Sequence, residues 1–527
     1  MVVIPRAKAL ALNLRNPAPV LATIPTARKW ERVGEGAIVV PHRDDEVRVL
    51  RNLGIDAPSP ILYHYEWQGR FKPFAHQRDT AAFLTYHDRA IVLNDLGTGK
   101  TQSALWAADY LMRTGAVRKC LILSPLSTLE RVWGDSIFTS FPDRRFVVLH
   151  GSAQRRLKLL AQDVDFYVIN HDGFQIIAED ALNKFDLIIV DEAAVLRNPS
   201  TKRFKLFRNW LRNHNTPPRL WLMTGTPTPN EPTDAWALAN LVGNTTYRTW
   251  GAFRDATMDK VSQWRWVPKK NAMDTVFDTL QPAVRFTRSE CFDLPETIVQ
   301  YREAEMSAEQ AKQYKAMLRN YVAEAKEGTI TAANEAVKLN KLVQAACGCM
   351  YTDEGAVAKL DCAKRIAVVK EVIEEAGEKV IVFAPLTAVI GMLAEELGKE
   401  WSVAVVDGSV SANARNRIFH DFQNSTEPRV LVAHPGTMAH GLTLTAATTI
   451  VWYAPTNSNE IYTQANGRIE RPGKTKTSNV VHIMATDLEG QIYARLRSKQ
   501  KLQGLLLDMV QSTTQQQTTT NVNGVVQ

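Results

Sequence analysis

Between residues 71 and 245 the chain alternates short apolar runs with polar loops and helical patterns. The runs are AIVLN (90–94), KCLILSP (119–125), RFVVLH (145–150), DFYVIN (165–170), FDLIIVDE (185–192) and RLWLMTG (219–225). They are apolar at nearly every position rather than at every second one, which predicts strands covered on both faces. Their alternation with helical stretches such as TQSALWAADYLM (101–112) predicts a buried parallel sheet. The pattern changes over 306–345, where SAEQAKQYKAMLRNYVAEAKEG and TAANEAVKLNKLVQAA carry long helical periodicity. Strand–helix alternation then resumes in KVIVFAP (379–385), WSVAVVDGS (401–409), RVLVAHP (429–435), TTIVWYAP (448–455) and NVVHIMAT (479–486). The expected fold class is α/β, with two lobes and helical insertions.

The two ends differ from this core. AIVVP (37–41) reads as a strand and DDEVRVLRNLG (44–54) as a short amphipathic helix ending at Gly54, so residues 1–70 form a small α/β accessory module. Residues 1–30 hold five basic residues and no acidic one, as a transit peptide does. They lack serine, however, and Pro5, Pro17, Pro19 and Pro25 break any helix, so an extended segment is expected. QSTTQQQTTTNVNG (511–524) is polar and low in complexity, which predicts a disordered tail over 506–527. The remaining boundaries are a first lobe at 71–245, a helical insertion and linker at 246–292, and a second lobe at 293–505 with a helical protrusion at about 306–350.

Composition narrows the function little. A net charge of +8 favours polyanionic partners, nucleic acid above all. No apolar run is long enough to span a bilayer, so no membrane is expected and the location is read as cytoplasmic. Five cysteines, an odd number, make no disulfide framework and fit a reduced compartment. Cys347 and Cys349 form a C-x-C pair without a second Cys/His pair at finger-like spacing, and are read as small core residues.

Chemistry enters at LGTGKT (96–101), between a strand and a helix. Gly97 and Gly99 let the backbone around Thr98 curl so that its N–H groups point at phosphate oxygens, and the helix N-terminus adds its positive end. Lys100 is placed to reach the β- and γ-phosphates of ATP and the Thr101 hydroxyl to hold Mg²⁺. The usual P-loop has a further glycine where this chain has Asn94. DEAAVLRN (191–198) follows a later strand of the same sheet, whose ligands bind at the carboxyl ends of its strands. Asp191 is suited to hold Mg²⁺ through its water shell, and Glu192 to orient the water that attacks the γ-phosphate. A divalent ion offsets two adjacent like charges.

LGTGKT, DEAAVLRN, TGTPTPN (224–230) and QANGRIERPGK (464–474), in this order, resemble the motifs of superfamily-two helicases, and more narrowly the Swi/Snf-type double-stranded DNA translocases. The resemblance runs from about 71 to 495 and implies two RecA-like parallel-sheet lobes in tandem. FKPFAHQ (71–77) is similar to the adenine-recognising segment, with Gln77 in the Gln position. SPLSTLERVW (124–133) resembles a motif that contacts a nucleic-acid strand, FTRSECFDLPE (286–296) the inter-lobe segment, and VDGSVSANAR (406–415) a second-lobe motif. The resemblance implies that Arg468 and Arg471 are arginine fingers, and it adds Gly441 to the nucleotide-binding set. An inserted guanidinium can be worth about 10³ to 10⁵ in rate. If these arginines reach the nucleotide, ATP sits between the lobes and its hydrolysis cycles the cleft.

Two departures stand out. Ala194 occupies the position of the family's His in Asp-Glu-Ala-His, a residue thought to link the ATP site to TGTP. HPGTMAHGLTL (434–444) lacks the family's paired glycines and is more like compact bacterial and phage members.

For the grip on nucleic acid, the resemblance singles out Ser127, Thr224 and Thr437, whose hydroxyls and backbone N–H groups bind phosphates without reading bases. Arg197, Lys202, Arg203, Lys205, Arg208 and Arg212 alternate with apolar residues, as on a helix with a basic outer face. Such a face suits phosphate contacts and equally suits plain solvation. The expected activity is a DNA-dependent ATPase that moves on duplex or branched DNA with little sequence preference. It is expected to be a monomer, with a protein partner through residues 1–70. An RNA helicase of the same superfamily and an ATP-gated DNA clamp with little turnover remain open.

Overall fold

The computed structural model describes residues 1–498 except 35, 71, 229–230, 244, 262–265, 293–294, 327–331, 352–355, 439–443, 471–473 and 475; side chains of 322–336 are also outside the description. The chain divides into two compact units, Met1–Phe292 and Asp293–Gln527. The expected tail, Gly441 and Arg471 lie outside the described residues.

The first unit opens with an antiparallel sheet of β1 (Val2–Ile4), β2 (Ala9–Asn13), β3 (Arg28–Lys29) and β4 (Ala37–Pro41), in the order β1-β2-β4-β3. The helix Asp44–Asn52 buries Val47 and Leu50 in one core with Leu10, Leu12, Ile38 and Val40. Three acidic residues, Asp44, Asp45 and Glu46, complement the positive end of its dipole. The N-terminal thirty residues correct the expectation of an extended segment. Besides β1 and β2 they hold the helix Ala18–Thr23. Pro19 lies in its first turn, where the missing N–H has no intrahelical acceptor to satisfy, so the proline is accommodated.

The main sheet of this unit comprises β5 (Arg89–Val92), β6 (Cys120–Ser124), β7 (Phe146–Val148), β8 (Phe166–Asn170), β9 (Leu187–Asp191) and β10 (Arg219–Met223). The region 246–292 contains the helices Trp250–Thr257 and Ala272–Thr279. It also contains the antiparallel hairpin β11 (Met258–Lys260) and β12 (Trp266–Pro268), and the edge strand β13 (Ala283–Val284). The sheet order is β13-β5-β10-β9-β6-β8-β7, with every pair parallel. Alternate residues of β9 enter opposite cores, Ile188 and Val190 on one face and Leu187 and Ile189 on the other. That is why its run is apolar throughout.

The second unit carries β14 (Thr297–Glu303), the helices Ala308–Lys326 and Ala332–Ala346, and an antiparallel hairpin of β15 (Cys349–Tyr351) and β16 (Val357–Lys359). Its sheet adds β17 (Lys379–Phe383), β18 (Val403–Val406), β19 (Val430–Ala433), β20 (Ala447–Trp452) and β21 (Ser478–Met484). The order is β14-β21-β20-β17-β19-β18, again all parallel. Buried Arg365 donates to Glu489 Oε1 at 2.6 Å and to Ile483 O at 3.0 Å, tying two helices to the end of β21. Cys347, Cys349 and Cys362 are free thiols packed in this core. The fold class is therefore α/β with two parallel-sheet lobes. No helix among the described residues is long and apolar enough to cross a membrane.

Candidate active site

Register decides which loops meet at the carboxyl edge of the first unit's sheet. Met223, last in β10, pairs with Val92 of β5 on one side and with Asp191 of β9 on the other. In β6, Leu123 pairs with Val190, so Ser124 lies level with Asp191, and Ser124 pairs with Asn170 of β8. The loops beginning at Leu93, Thr224, Glu192, Pro125 and His171 therefore leave from one row, where open α/β sheets bind ligands.

The first of these loops is built for close approach. Gly97 and Gly99 have φ of +84° and +81°, in the left-handed region that favours glycine. A Cβ on Gly99 would lie 2.0 Å from Gln77 Nε2. Gln77 comes from the helix Ala75–Tyr86, donates to Thr98 O at 3.2 Å and accepts from Phe74 N at 3.0 Å. Its neighbour His76, which the sequence did not single out, meets the same Thr98 carbonyl at 2.9 Å. Gln77 thus braces the glycine loop. Thr98 is buried and donates its hydroxyl to Asp95 O at 2.8 Å. Lys100 opens the helix Lys100–Arg113, followed by half-buried Thr101. The Lys100 ammonium donates to Asn94 O at 2.8 Å and to Asp95 O at 3.2 Å.

The acidic pair stands at the end of β9. Asp191 Oδ2 accepts from Trp133 Nε1 at 3.0 Å, and its Oδ1 accepts from Glu192 N at 3.1 Å. Its backbone carbonyl is met by His171 Nε2 at 2.8 Å. Burial pushes the Asp191 carboxyl above the usual carboxylate range, while the Trp133 indole and the positive charge of Lys100 pull it back. Lys100 and Asp191 therefore share one electrostatic environment. Glu192 adopts φ +49° and ψ +49°, a conformation that costs a residue with a side chain of order 1 kcal/mol or more. Trp133 closes a segment whose resemblance is to a strand-contacting motif, yet its own ring is fully buried against the carboxylate.

The TGTP turn packs beside the glycine loop, with Thr224 N donating to Val92 O at 3.0 Å. Thr224 has no exposed surface and its hydroxyl accepts from Thr226 N at 3.1 Å. It shapes the turn rather than offering a hydroxyl to a nucleic-acid strand. Ser127 is exposed. Ala194 is buried in the turn Ala193–Leu196, where its carbonyl accepts from Arg197 N and Nη1, both at 3.1 Å. In the second unit, Thr437 lies in the turn Pro435–Met438 and donates to His434 O at 2.7 Å. Arg468 is buried there just beyond the helix Asn459–Asn466, and its carbonyl accepts from Leu444 N at 3.0 Å. The helix Lys202–Arg212 buries Phe204, Phe207, Trp210 and Leu211, leaves Lys202, Lys205 and Arg212 exposed, and pairs Arg203 with Asp172.

The donor set fits a magnesium nucleotide. Two glycines in the left-handed region curl the loop, the Lys100 ammonium lies at its base, and the buried Asp191 carboxylate and the Thr101 hydroxyl are the candidate oxygen ligands. Among the described residues no group of three or more His, Cys, Asp or Glu side chains could hold a metal by itself. A Mg²⁺ on Thr101 and Asp191 would complete its shell with phosphate and water, its usual manner beside nucleotides.

Residues 76–352 match the model of the SNF2-related domain and residues 363–473 that of the helicase conserved C-terminal domain. "Putative protein p41" of Acyrthosiphon pisum secondary endosymbiont phage 1 is 28% identical over 83% of this chain and 98% of its own length. The SWI/SNF-related matrix-associated actin-dependent regulator of chromatin subfamily A-like protein 1 of Xenopus laevis is 25% identical over 79% of this chain. The chain spans only 42% of that protein. It spans 59% of the "ATP-dependent DNA helicase DDM1" of Arabidopsis thaliana, at 23% identity. The solved "Sulfolobus solfataricus SWI2/SNF2 ATPase core in complex with dsDNA" is 21% identical over 82% of this chain and 92% of that one, with a TM-score of 0.39. With more than half of its 527 residues matching the SNF2-related domain and a helicase C-terminal domain following, this chain belongs to the SNF2-related family of helicase-type ATPases.

Proposed function

We propose that the protein is an ATP-dependent DNA translocase of the Swi/Snf type, coupling hydrolysis of ATP to movement on double-stranded or branched DNA. The observation that supports it most is the shared row of Val92, Met223 and Asp191, from which the glycine loop, the TGTP turn and the acidic pair all emerge. Lys100 binds the β- and γ-phosphates, with Gly97, Thr98 and Gly99 curling around them and Gln77 at the adenine side. Thr101 and Asp191 hold Mg²⁺, which when bound neutralises phosphate charge. Glu192 orients the attacking water. Arg468 and Arg471 supply the guanidinium groups that stabilise charge on the transferred phosphoryl group. Gly441 belongs to the same nucleotide set, and Ser127 and Thr437 contact the nucleic-acid backbone. The phage relative, covered over nearly its whole length, supports a role in phage or bacterial replication, recombination or repair in the cytoplasm. Residues 1–70 are read as a partner module on a monomeric motor.

Ala194 favours one second reading, an ATP-gated DNA clamp with little turnover, because a buried methyl stands where an imidazole would link hydrolysis to the TGTP turn. One assay separates the two and tests both. ATP hydrolysis is measured with duplex, forked, four-way-junction and single-stranded DNA and with duplex RNA. Stimulation by duplex or branched DNA that Lys100→Ala and Glu192→Gln abolish supports the translocase. Tight ATP-dependent DNA binding without turnover supports the clamp, and stimulation by RNA alone overturns both.

A further inference from the structure

We infer that Asn94, Asp95 and Arg288 form a relay through which the phosphate loop sets the position of the connector that leads out of the first unit; this rests on the reading of residues 96–101 as that loop. The connector begins at β13 and continues the parallel ladder beyond the end of the sheet. Ile91 N donates to Pro282 O at 3.0 Å, Leu93 N to Val284 O at 2.8 Å and Asp95 N to Phe286 O at 3.0 Å. The last of these bonds is made by the residue immediately before the phosphate loop. Side chains extend the zipper. Phe286 N donates to Asn94 Oδ1 and Arg288 N to Asp95 Oδ2, each at 3.0 Å. The Arg288 guanidinium then donates from Nε and Nη2 to Leu96 O, at 3.2 and 2.9 Å.

Asn94 and Asp95 thus face two ways. Their carbonyls accept from the Lys100 ammonium while their side chains hold the connector. When Lys100 turns to phosphate oxygens, both carbonyls lose a charged donor. Such a bond is the stronger kind, and its loss favours rotation of the Asn94–Asp95 peptide. The side chains on that peptide move with it and carry Phe286 and Arg288. A second contact reinforces the first, because the Phe292 ring lies edge-on to His76, the residue that meets the Thr98 carbonyl. Asn94 occupies the position where the usual P-loop has glycine, and a glycine has nothing with which to reach Phe286 N or, through Nδ2, Thr80 Oγ1 at 2.9 Å. The residue that departs from the common loop pattern is the one that joins the loop to the connector.

The test is hydrogen exchange of residues 284–292 in the full chain, alone and with a non-hydrolysable ATP analogue and Mg²⁺, with nucleotide affinity titrated separately. The expected result is a change in exchange at the Phe286 and Arg288 amides on adding the analogue. Arg288→Ala and Asn94→Gly lose that response while still binding nucleotide, Arg288→Lys keeps part of it, and DNA-stimulated kcat falls about tenfold in the first two, the order expected for the loss of a hydrogen bond. A merely structural role would lower the melting temperature and leave the exchange response intact. If the analogue binds and exchange at 284–292 is unchanged in the parent, the relay is overturned and the site reading stands. If the parent binds no nucleotide, both fall.

Discussion

Trp133 Nε1 donates to Asp191 Oδ2 across 3.0 Å of buried interior, so a residue 58 positions away holds the carboxylate that closes β9. Burial raises the Asp191 pKa and the indole opposes that shift. Trp133→Phe removes the donor and keeps most of the ring volume, so the carboxyl titrates still higher. The ionised form is the one that can hold Mg²⁺, and the acid limb of the ATPase pH profile is expected to move to higher pH. The fold responds with the opposite sign. A raised carboxyl pKa contributes stability below its ordinary value and loses it as pH rises through the raised one. The comparison is kcat/KM against pH for the variant and the parent, and an unmoved acid limb refutes the assignment.

Glu192 shows that the site is not optimised for stability. Its φ of +49° suits glycine, so Glu192→Gly is expected to stabilise the first unit by about 0.5–1 kcal/mol. The same change removes the carboxylate proposed to orient water and abolishes hydrolysis. Thermal denaturation and ATPase rates measured together check both halves, and a variant less stable than the parent shows that Glu192 has contacts worth more than its strain.

These residues also mark how far the sequence was legible. Strands in the middle of each sheet are apolar on both faces, so β6, β9, β17 and β20 stand out as continuous runs. β14 is a seven-residue edge strand with no fully buried residue, and β13 has two residues, so neither stands out as a continuous buried run. In the candidate site, placement within one short segment was readable: Gly97 to Thr101 between a strand and a helix, and Asp191 with Glu192 at the end of another strand of the same sheet. The support of those groups was not. Trp133 and His171 reach Asp191 from 58 and 20 residues away, and Arg288 reaches Leu96 from 192. Such roles arise only when strands are placed side by side.

Gly99 offers a separation of strain from collision. An alanine there places Cβ 2.0 Å from Gln77 Nε2 and also imposes a side chain at φ +81°. Gly99→Ala is expected to weaken nucleotide binding about tenfold, since Gln77 must give up its brace on Thr98 or the loop must shift to admit the methyl group, and the left-handed backbone is strained besides. Adding Gln77→Ala removes the collision and leaves the strain of about 1 kcal/mol or more. The double variant should therefore recover part of the affinity, less whatever Gln77 contributes at the base. Titration of a fluorescent ATP analogue reads the ranking. A double variant weaker than Gly99→Ala shows that Gln77 matters more as a ligand than as a brace.

The helix Lys202–Arg212 carries its exposed cations in an arrangement that stability does not explain. Lys202 lies in the first turn, where the helix dipole already presents positive charge and another cation is unfavourable by a few tenths of a kcal/mol. Replacing it by glutamate favours the helix, while Lys205, one position from the apolar Phe204, faces solvent. If this face grips phosphates, Lys202→Glu with Lys205→Glu weakens duplex binding uniformly across sequences and lowers the slope of log K against log salt by about 2, close to one unit per phosphate contact. The melting temperature should stay level or rise. Binding measured at several salt concentrations on two unrelated duplexes decides it. An unchanged slope makes the face a solvated one and shifts the grip to the loops at the sheet edge, Ser127 first among them.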